Sequence, residues 1–334
     1  MSNGFVAESA DSPFGLLNIL SLLTSAAIIY IAWQAWSARP RLTDVREQPV
    51  TEIPGDLHPA YAGLIASGRV RDVQIEATVL ELIRRGTISL EPDADDRTKV
   101  QLRIADTDQV QIPLEQELIR LLQSRAREGV VGYRTLNRSR NNWGSLRRQL
   151  RQDGIEMGWL NPSSSQTRLA FIVPGLVGIA LAIVLMIVAF TAETGWPVLG
   201  AIITGLTGSV ALSIGNIIPE TTREGEEAAI PWRGLRTGLA RARDERPDSI
   251  DLDRAFPYIV AMGMAAQYDR HLRRASQSGY IPAWIGRRSR VQEWPEGWHT
   301  YWIALHTALA PTDPANTTAP TGSAWRRSIT GGRF

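Results

Sequence analysis

Three long runs of apolar residues dominate the hydropathy pattern of the chain. Uncharged stretches extend over residues 14–36, 169–190 and 196–219. A helix rises about 1.5 Å per residue, so each run can cross a hydrocarbon core of roughly 30 Å. The pattern therefore predicts a mainly α membrane protein with three transmembrane helices, since isolated spans must pair their own backbone groups. Three core helices of a soluble protein are the alternative, but such helices usually keep a polar stripe.

Arginine is distributed unevenly around these runs. Residues 1–13 and the connector 191–195 contain no basic side chain, whereas arginines flank the opposite end of every run. The positive-inside rule predicts an outer N-terminus and places 37–168 and 220–334 in the cytoplasm. Side chains expected to anchor the spans at the membrane interface are Trp33, Trp36, Arg39, Arg41, Arg168, Trp196 and Arg223. The segment before the first run is acidic, which favours a retained inner-membrane anchor over a cleaved signal peptide.

Small residues recur every four positions in the third run. Ala201, Gly205, Ser209 and Ser213 share one helix face, which lets another helix approach closely. Packing against the second run, where Gly178 lies four residues from Ala182, is the plainer interpretation, and a homo-oligomer is the alternative.

A folded α+β domain is predicted between the first two runs. Apolar residues at helical spacing predict a helix over 72–85, and Gly86 is expected to end it. Alternation at 88–90 and again at 100–104 predicts a β-hairpin. Helix followed by hairpin is typical of a winged-helix-like unit.

Two further helices are expected in this domain, one opening at Pro113 and one over 138–159. The second carries five arginines and could contact DNA, or it could be a solvated face beside an anionic membrane. Acidic residues nearly balance basic ones in the domain, so nucleic acid is an unlikely partner and a protein partner is favoured.

Residues 220–310 are predicted to form a helical domain, and 311–334 a disordered tail. Helices are expected over 224–243 and 252–271, with Pro257 near the start of the second. A later aromatic stripe could lie on the membrane or cover the domain core; it comprises Trp294, Trp298, Trp302 and Leu305.

Composition limits the available chemistry. The 334 residues include no cysteine and four histidines, and the formal charge is +2. Disulfides, cysteine-ligated metals and cysteine nucleophiles are excluded. His299 and His306 are expected to be packing or surface residues, and we expect no cofactor or metal. The carboxylates Glu224, Glu226 and Glu227 could serve a membrane enzyme, although three carboxylates just past a span more often mark a solvated helix start.

Several segments resemble a known family. They are HPAYAGLIA at 58–66, the helix ending in LIRRGTISLE, the block REGEEAAIPWRGLRTGL and the block AFPYIVAMGMAAQYDRHL. Together they are similar to the bacterial YciQ-like predicted membrane proteins, domain-of-unknown-function family 2207. The matching residues, expected to be structural, are Pro59, Gly63, Gly86, Glu117, Trp232, Gly234, Arg236, Pro257, Tyr258, Gly263 and Trp284.

The resemblance implies a bacterial membrane location and no established activity. Family members typically carry a β-rich outer domain before the first span, where this sequence has about a dozen residues, and the family phenylalanine is Leu235 here. We therefore expect a non-enzymatic inner-membrane protein whose cytoplasmic domains act as a protein-interaction or regulatory scaffold. The alternatives are a membrane-tethered DNA-binding regulator and a membrane enzyme acting on lipid or envelope precursors.

Overall fold

The structure is a computed structural model of the whole chain. It describes residues 13–37, 48–93, 96, 99–108, 110, 112–139, 143–191, 196–217, 220–245, 250–282, 285 and 297–309. The helices are α1 (Pro13–Ser37), α2 (Pro59–Ser67), α3 (Asp72–Arg85), α4 (Pro113–Gln123), α5 (Tyr133–Ser139), α6 (Gly144–Glu156), α7 (Ser164–Thr191), α8 (Trp196–Ile217), α9 (Arg223–Glu245), α10 (Leu252–Ala261), α11 (Ala265–Gln277) and α12 (Trp298–Leu309). The strands are β1 (Ile88–Pro92), β2 (Val100–Ile104) and β3 (Val130–Val131).

The chain divides into two compact units. The first contains Met1–Arg41 and Asn161–Glu220, and the second contains Leu42–Leu160 and Thr221–Phe334. The second unit therefore joins chain segments from both sides of the α7–α8 hairpin. This corrects the expectation of separate domains over 37–168 and 220–310, because apolar side chains of both segments share one core.

The first unit is built from α1, α7 and α8, so the helical form predicted for the three apolar runs is confirmed. Glycines allow α7 and α8 to pack closely: a Cβ on Gly208 would lie 2.8 Å from the carbonyl oxygen of Gly175. Gly205 similarly faces Ala182, whereas Ser209 is exposed. Part of the small-residue face thus packs within the hairpin, as the plainer interpretation predicted.

Among the described residues, one helical segment, Arg168–Val188, is both long and apolar enough to cross a membrane. Leu22–Ile31 and Val198–Ser213 are shorter apolar segments. Large apolar side chains are exposed on all three helices of this unit.

The predicted helix–hairpin element is confirmed in the second unit. Helix α3 begins at Asp72 and ends at Arg85, and Gly86 caps it with a left-handed φ of 80° that suits glycine. Strands β1 and β2 pair antiparallel, with Leu90 opposite Leu102, and β3 adds to β2 as the third strand. The helix that opens at Pro113 is also confirmed, as α4.

Two predicted helices differ in the structure. The helix expected over 138–159 is shorter: α6 begins at Gly144, after the buried ring of Trp143, and ends at Glu156. The helix expected over 252–271 is replaced by α10 and α11, because Gly263 adopts a φ of 72° that ends α10. Apolar residues keep the helical period across Gly263, which conceals this break in the sequence.

Pro257 was expected near a helix start, and this expectation is wrong. It lies inside α10, which extends over Leu252–Ala261, and it is buried. A proline at this position removes one backbone hydrogen bond. The burial of most side chains of this short helix offsets that loss.

Helix α12 covers the core of the second unit. Trp298, Trp302 and Leu305 are each no more than 2% exposed, and Phe256 of α10 packs edge-on against Trp302, with 4.7 Å between ring centroids. Of the two alternatives for the aromatic stripe, the structure supports the core cover for these residues. Trp294 and the tail 311–334 lie outside the described residues.

Candidate functional site

Five of the eleven family-matching residues meet where the two chain segments of the second unit join. Pro59 supplies the first position of α2, and Gly63 of the same helix lies against α10. A Cβ on Gly63 would overlap the carbonyl oxygen of Ala261 and lie 2.8 Å from the Ala261 Cβ. Glycine is therefore what allows α2 and α10 to approach this closely.

A stacked aromatic pair lies beside this contact. The rings of Trp232 on α9 and Tyr258 on α10 are 5.8 Å apart and nearly parallel, at 7°. The Tyr258 hydroxyl donates to the carbonyl oxygen of Leu57 at 2.8 Å. Burial, followed by the nearby negative charge of Glu81, raises the pKa of Tyr258 to about 12. The hydroxyl is therefore protonated at neutral pH and acts as a hydrogen-bond donor.

Helix α9 is held by two close backbone contacts. The Val50 backbone N–H donates to the carbonyl oxygen of Gly234 at 3.2 Å. Side-chain carbons on Gly234 and Gly238 would overlap the carbonyl oxygens of Gln48 and Val50, respectively. The segment at 48–50, before α2, thus lies directly on α9, which explains the glycine at position 234.

The remaining family-matching residues are placed elsewhere. Gly86 caps α3, and Gly263 ends α10. Glu117 of α4 forms an exposed ion pair with Arg120 at 2.8 Å, while Arg236 of α9 is exposed. Trp284 lies outside the described residues.

A buried charge network joins α2, α3 and α4, and the sequence patterns did not indicate it. Glu81 accepts two hydrogen bonds from Arg84, at 2.8 and 2.7 Å, and one from Arg85 at 2.8 Å. Arg85 also donates to Glu115 at 3.0 Å, and the His58 Nε2 lies 3.3 Å from the same Glu115 oxygen. The three- and four-residue spacings within α3 signal local pairs, but nothing in the sequence signals the 30-residue link to α4.

Electrostatics keep the Glu81 carboxylate ionised. Burial alone would raise the pKa of Glu81, but hydrogen bonds and charge from Arg84, with the charges of Arg85 and His58, lower it below its ordinary value. The His58 Nδ1 accepts the Ala60 backbone N–H at 3.2 Å, so the imidazole also caps α2. Paired carboxylates of this kind hold helices together and are poor proton acceptors for catalysis.

Both predicted histidines pair with carboxylates across the fold. His306 Nδ1 lies 2.6 Å from Glu76 of α3, and His299 Nε2 lies 2.8 Å from Asp269 of α11. They attach α12 to the rest of the unit, which agrees with the packing role expected for them. Within the described ranges, no group of three or more His, Asp or Glu side chains is arranged to hold a metal ion.

The three glutamates after α8 are not grouped as one site. Glu226 pairs with Arg233 at 2.7 Å and accepts a hydrogen bond from Thr221. Burial would raise its pKa, but these two hydrogen bonds and the Arg233 charge lower it. Glu227 pairs with Arg223 at 3.1 Å in solvent, and Glu224 lies beside Gly158. The geometry provides no arrangement of these carboxylates around a common point.

The predicted interface anchors are described only in part. Trp33 is 64% exposed, and Arg168 and Arg223 are exposed. Trp36 lies within α1 and Trp196 begins α8. Arg39 and Arg41 lie outside the described residues.

Comparison with known families assigns the chain to a class. The family described as "Predicted membrane protein (DUF2207) C-terminal domain" matches residues 47–272, which is more than half of the sequence. The chain belongs to this family, so the resemblance seen in the sequence is confirmed. The match includes α7 and α8 and stops within α11, before α12. No curated protein and no solved structure matches the chain significantly.

Proposed function

We propose that the chain is an integral protein of the bacterial inner membrane whose three apolar helices hold one cytoplasmic domain, and that this domain has a protein-interaction or regulatory role. The proposal rests on the observation that two distant chain segments together form the second unit. Its core contains residues from both 48–160 and 221–309, on either side of the hairpin. A hairpin that crosses the bilayer twice returns the chain to the side it left, so a shared core is compatible with two crossings.

The surface of the first unit supports lipid as its surroundings. Large apolar side chains face outward on α1, α7 and α8, far beyond the scattered exposure normal for water-soluble proteins. Those more than half exposed include Leu22, Leu23, Ile29, Leu169, Val173, Leu176, Ile187, Leu199, Leu206 and Val210. In water such a surface would aggregate, whereas in hydrocarbon it costs nothing.

The arginine distribution supports a cytoplasmic position for the second unit. Arg168 precedes the apolar part of α7, and Arg223 follows α8, whereas the connector between these helices lacks basic residues. This is the pattern expected when both large segments stay on the cytoplasmic side.

A binding role is favoured over catalysis by how the buried ionisable groups are used. Glu81, Glu115, Glu226 and Asp269 each pair with an arginine. The guanidinium groups, from Arg84, Arg85, Arg233 and Arg273, occupy oxygens that a catalytic acid or base would need. Such pairs specify one arrangement of helices.

The helix–hairpin order of α3, β1 and β2 supports a winged-helix-like description of this part of the unit. It gives less support to DNA binding, the alternative role. Helix α3 is buried along 11 of its 14 residues by its neighbours, so it has no free face to enter a groove. On α6, Arg147 is paired with Asp72, at 3.4 Å.

The absence of native cysteine allows a direct test of the membrane arrangement. Single substitutions Thr107→Cys and Ser278→Cys lie at exposed positions in the two segments of the second unit, and Thr194→Cys lies in the short connector. In intact bacterial cells, a membrane-impermeant maleimide should label only Thr194→Cys. Labelling of either of the other two positions without membrane disruption contradicts the proposal.

The interaction role needs a separate test. We expect in-cell cross-linking followed by purification in mild detergent to recover one other protein in near-stoichiometric amount. Recovery of this chain alone would argue strongly against a scaffold, while leaving the membrane arrangement intact.

A further inference from the structure

A short loop between α2 and α3 is held rigidly by one buried glutamine. The Gln74 side chain is fully buried; its Oε1 accepts the Arg71 backbone N–H at 2.7 Å. Its Nε2 donates to the carbonyl oxygen of Arg69 at 2.8 Å and to the Ser67 hydroxyl at 3.2 Å. The backbone that carries Arg69 and Arg71 is therefore fixed before any ligand arrives.

Three arginines gather around this loop. Arg71 is half-buried, and its guanidinium lies near Gly263: the Arg71 Nη1 is 3.8 Å from the position that a Cβ on Gly263 would take. Burial lowers the pKa of Arg71, and the positive charges of Arg236 and Arg69 lower it further. Among the described residues no carboxylate lies within ion-pair distance of Arg71 or Arg236, in contrast with the paired arginines of α3.

Such an arrangement has an electrostatic cost that an anion would remove. Like charges near one another destabilise a fold, and a half-buried guanidinium without a counter-charge adds a desolvation cost. Guanidinium groups bind phosphate with paired hydrogen bonds, so a phosphate group is the anion best suited to this cluster.

The chain connects the loop closely to a predicted membrane span. A Cβ on Gly68 would lie 3.2 Å from the Thr221 methyl carbon. Thr221 lies four residues after Ile217, the last residue of α8. Four residues of fully extended chain span at most about 14 Å, which limits the distance between Thr221 and the end of α8. Arg233 of α9 donates to the carbonyl oxygen of Ala66, in the last turn of α2, at 3.4 Å, but its charge is paired with Glu226.

We propose that Arg69, Arg71 and Arg236 bind the phosphate headgroup of an anionic lipid in the cytoplasmic leaflet. This inference rests on the proposed membrane arrangement. The rigid loop supplies two of the cations and α9 supplies the third. Such a site makes the attachment of the domain to the membrane depend on lipid charge.

The test uses the full-length chain, purified in a neutral detergent, with phosphatidylglycerol or phosphatidylcholine added. Native mass spectrometry measures how much of each lipid remains bound. The wild type should retain phosphatidylglycerol preferentially. The double variant Arg71→Gln with Arg236→Gln should lose that preference by roughly fivefold for each arginine removed, given the usual attraction of one arginine to an anionic surface.

A matched control carries the same loss of charge elsewhere. Arg148→Gln with Arg274→Gln removes two exposed arginines on α6 and α11 and should keep the preference. Arg71→Lys with Arg236→Lys retains charge and should restore part of the binding, which guards against misfolding of the glutamine variant. Equal retention by the glutamine variant and the control overturns the proposal.

A soluble anion is the competing source of the same phosphate chemistry. If inorganic phosphate at millimolar concentration displaces phosphatidylglycerol from the wild type completely, the site serves a soluble ligand and the lipid assignment is wrong. The maleimide labelling described above is repeated in the variant Arg71→Gln with Arg236→Gln. If only Thr194→Cys is labelled there while the lipid preference is not as expected, the lipid site is wrong and the membrane arrangement stands.

Discussion

The His306 imidazole and the Glu76 carboxylate are paired at 2.6 Å although 230 residues separate them in the chain. Burial alone would lower the pKa of His306, but the charge of Glu76 and its hydrogen bond raise it above the ordinary value of 6.5. A histidine whose pKa rises on folding stabilises the protein fully below 6.5 and loses that contribution as pH rises through the higher folded value. We therefore expect the stability of the domain to fall as pH is raised from 6 into the alkaline range.

The measurement is urea unfolding of the detergent-solubilised chain at a series of pH values. His306→Gln should be less stable at pH 6 and should remove this part of the pH dependence. His271→Gln, a half-buried histidine on α11, serves as the control and should retain it. A wild-type profile that rises over the same range would show that His306 is not bound as a cation.

Close packing of α2 on α10 gives a second prediction. Gly63→Ala should destabilise the domain by about 1–3 kcal/mol, because the new methyl group would overlap backbone atoms of Ala261. Gly144→Ala is the matched change at a helical glycine with nothing within 4 Å, and no loss is expected there. Equal effects of the two substitutions on urea unfolding would contradict the tight helix contact.

Two glutamates of α4 allow the contribution of a buried ion pair to be compared with that of an exposed one. Glu115 is fully buried, and Glu115→Ala should cost about 3 kcal/mol because Arg85 and His58 lose a buried partner, although Arg85 keeps its ion pair with Glu81. Glu117 is 19% exposed and pairs with the exposed Arg120, so Glu117→Ala should cost less than about 1 kcal/mol. If Glu117→Ala lowered the free energy of unfolding more than Glu115→Ala did, the buried pair would not be the stronger one, and Glu117 would have a role other than its ion pair with Arg120.

Local features of this fold follow from the sequence because their causes are local. The Gly86 cap, the α3 helix and the hairpin at Leu90 and Leu102 each depend on spacing within a few residues. The break at Gly263 was missed because apolar residues keep the helical period across it, and only the left-handed backbone reveals the end.

The long-range features could not be predicted in the same way. The union of 48–160 with 221–309 depends on contacts such as Tyr258 with Leu57, 201 residues apart, and no pattern in either segment encodes its partner. The charge network has the same character, since Arg85 finds Glu115 only after α3 and α4 are packed. Sequence periodicity specifies which face of a helix is buried, but not what covers it.

Packing of the α7–α8 hairpin gives the last prediction. Gly208→Val should lower the thermal unfolding midpoint in detergent, because side-chain carbons at this position would press on Gly175 and Ile179. Ser209→Val, at the adjacent exposed position, should leave the midpoint nearly unchanged. The reverse result would mean that the exposed serine face is the one that packs, in a second copy of the chain. In that case, cross-linking through Ser209→Cys should yield a dimer in native membranes.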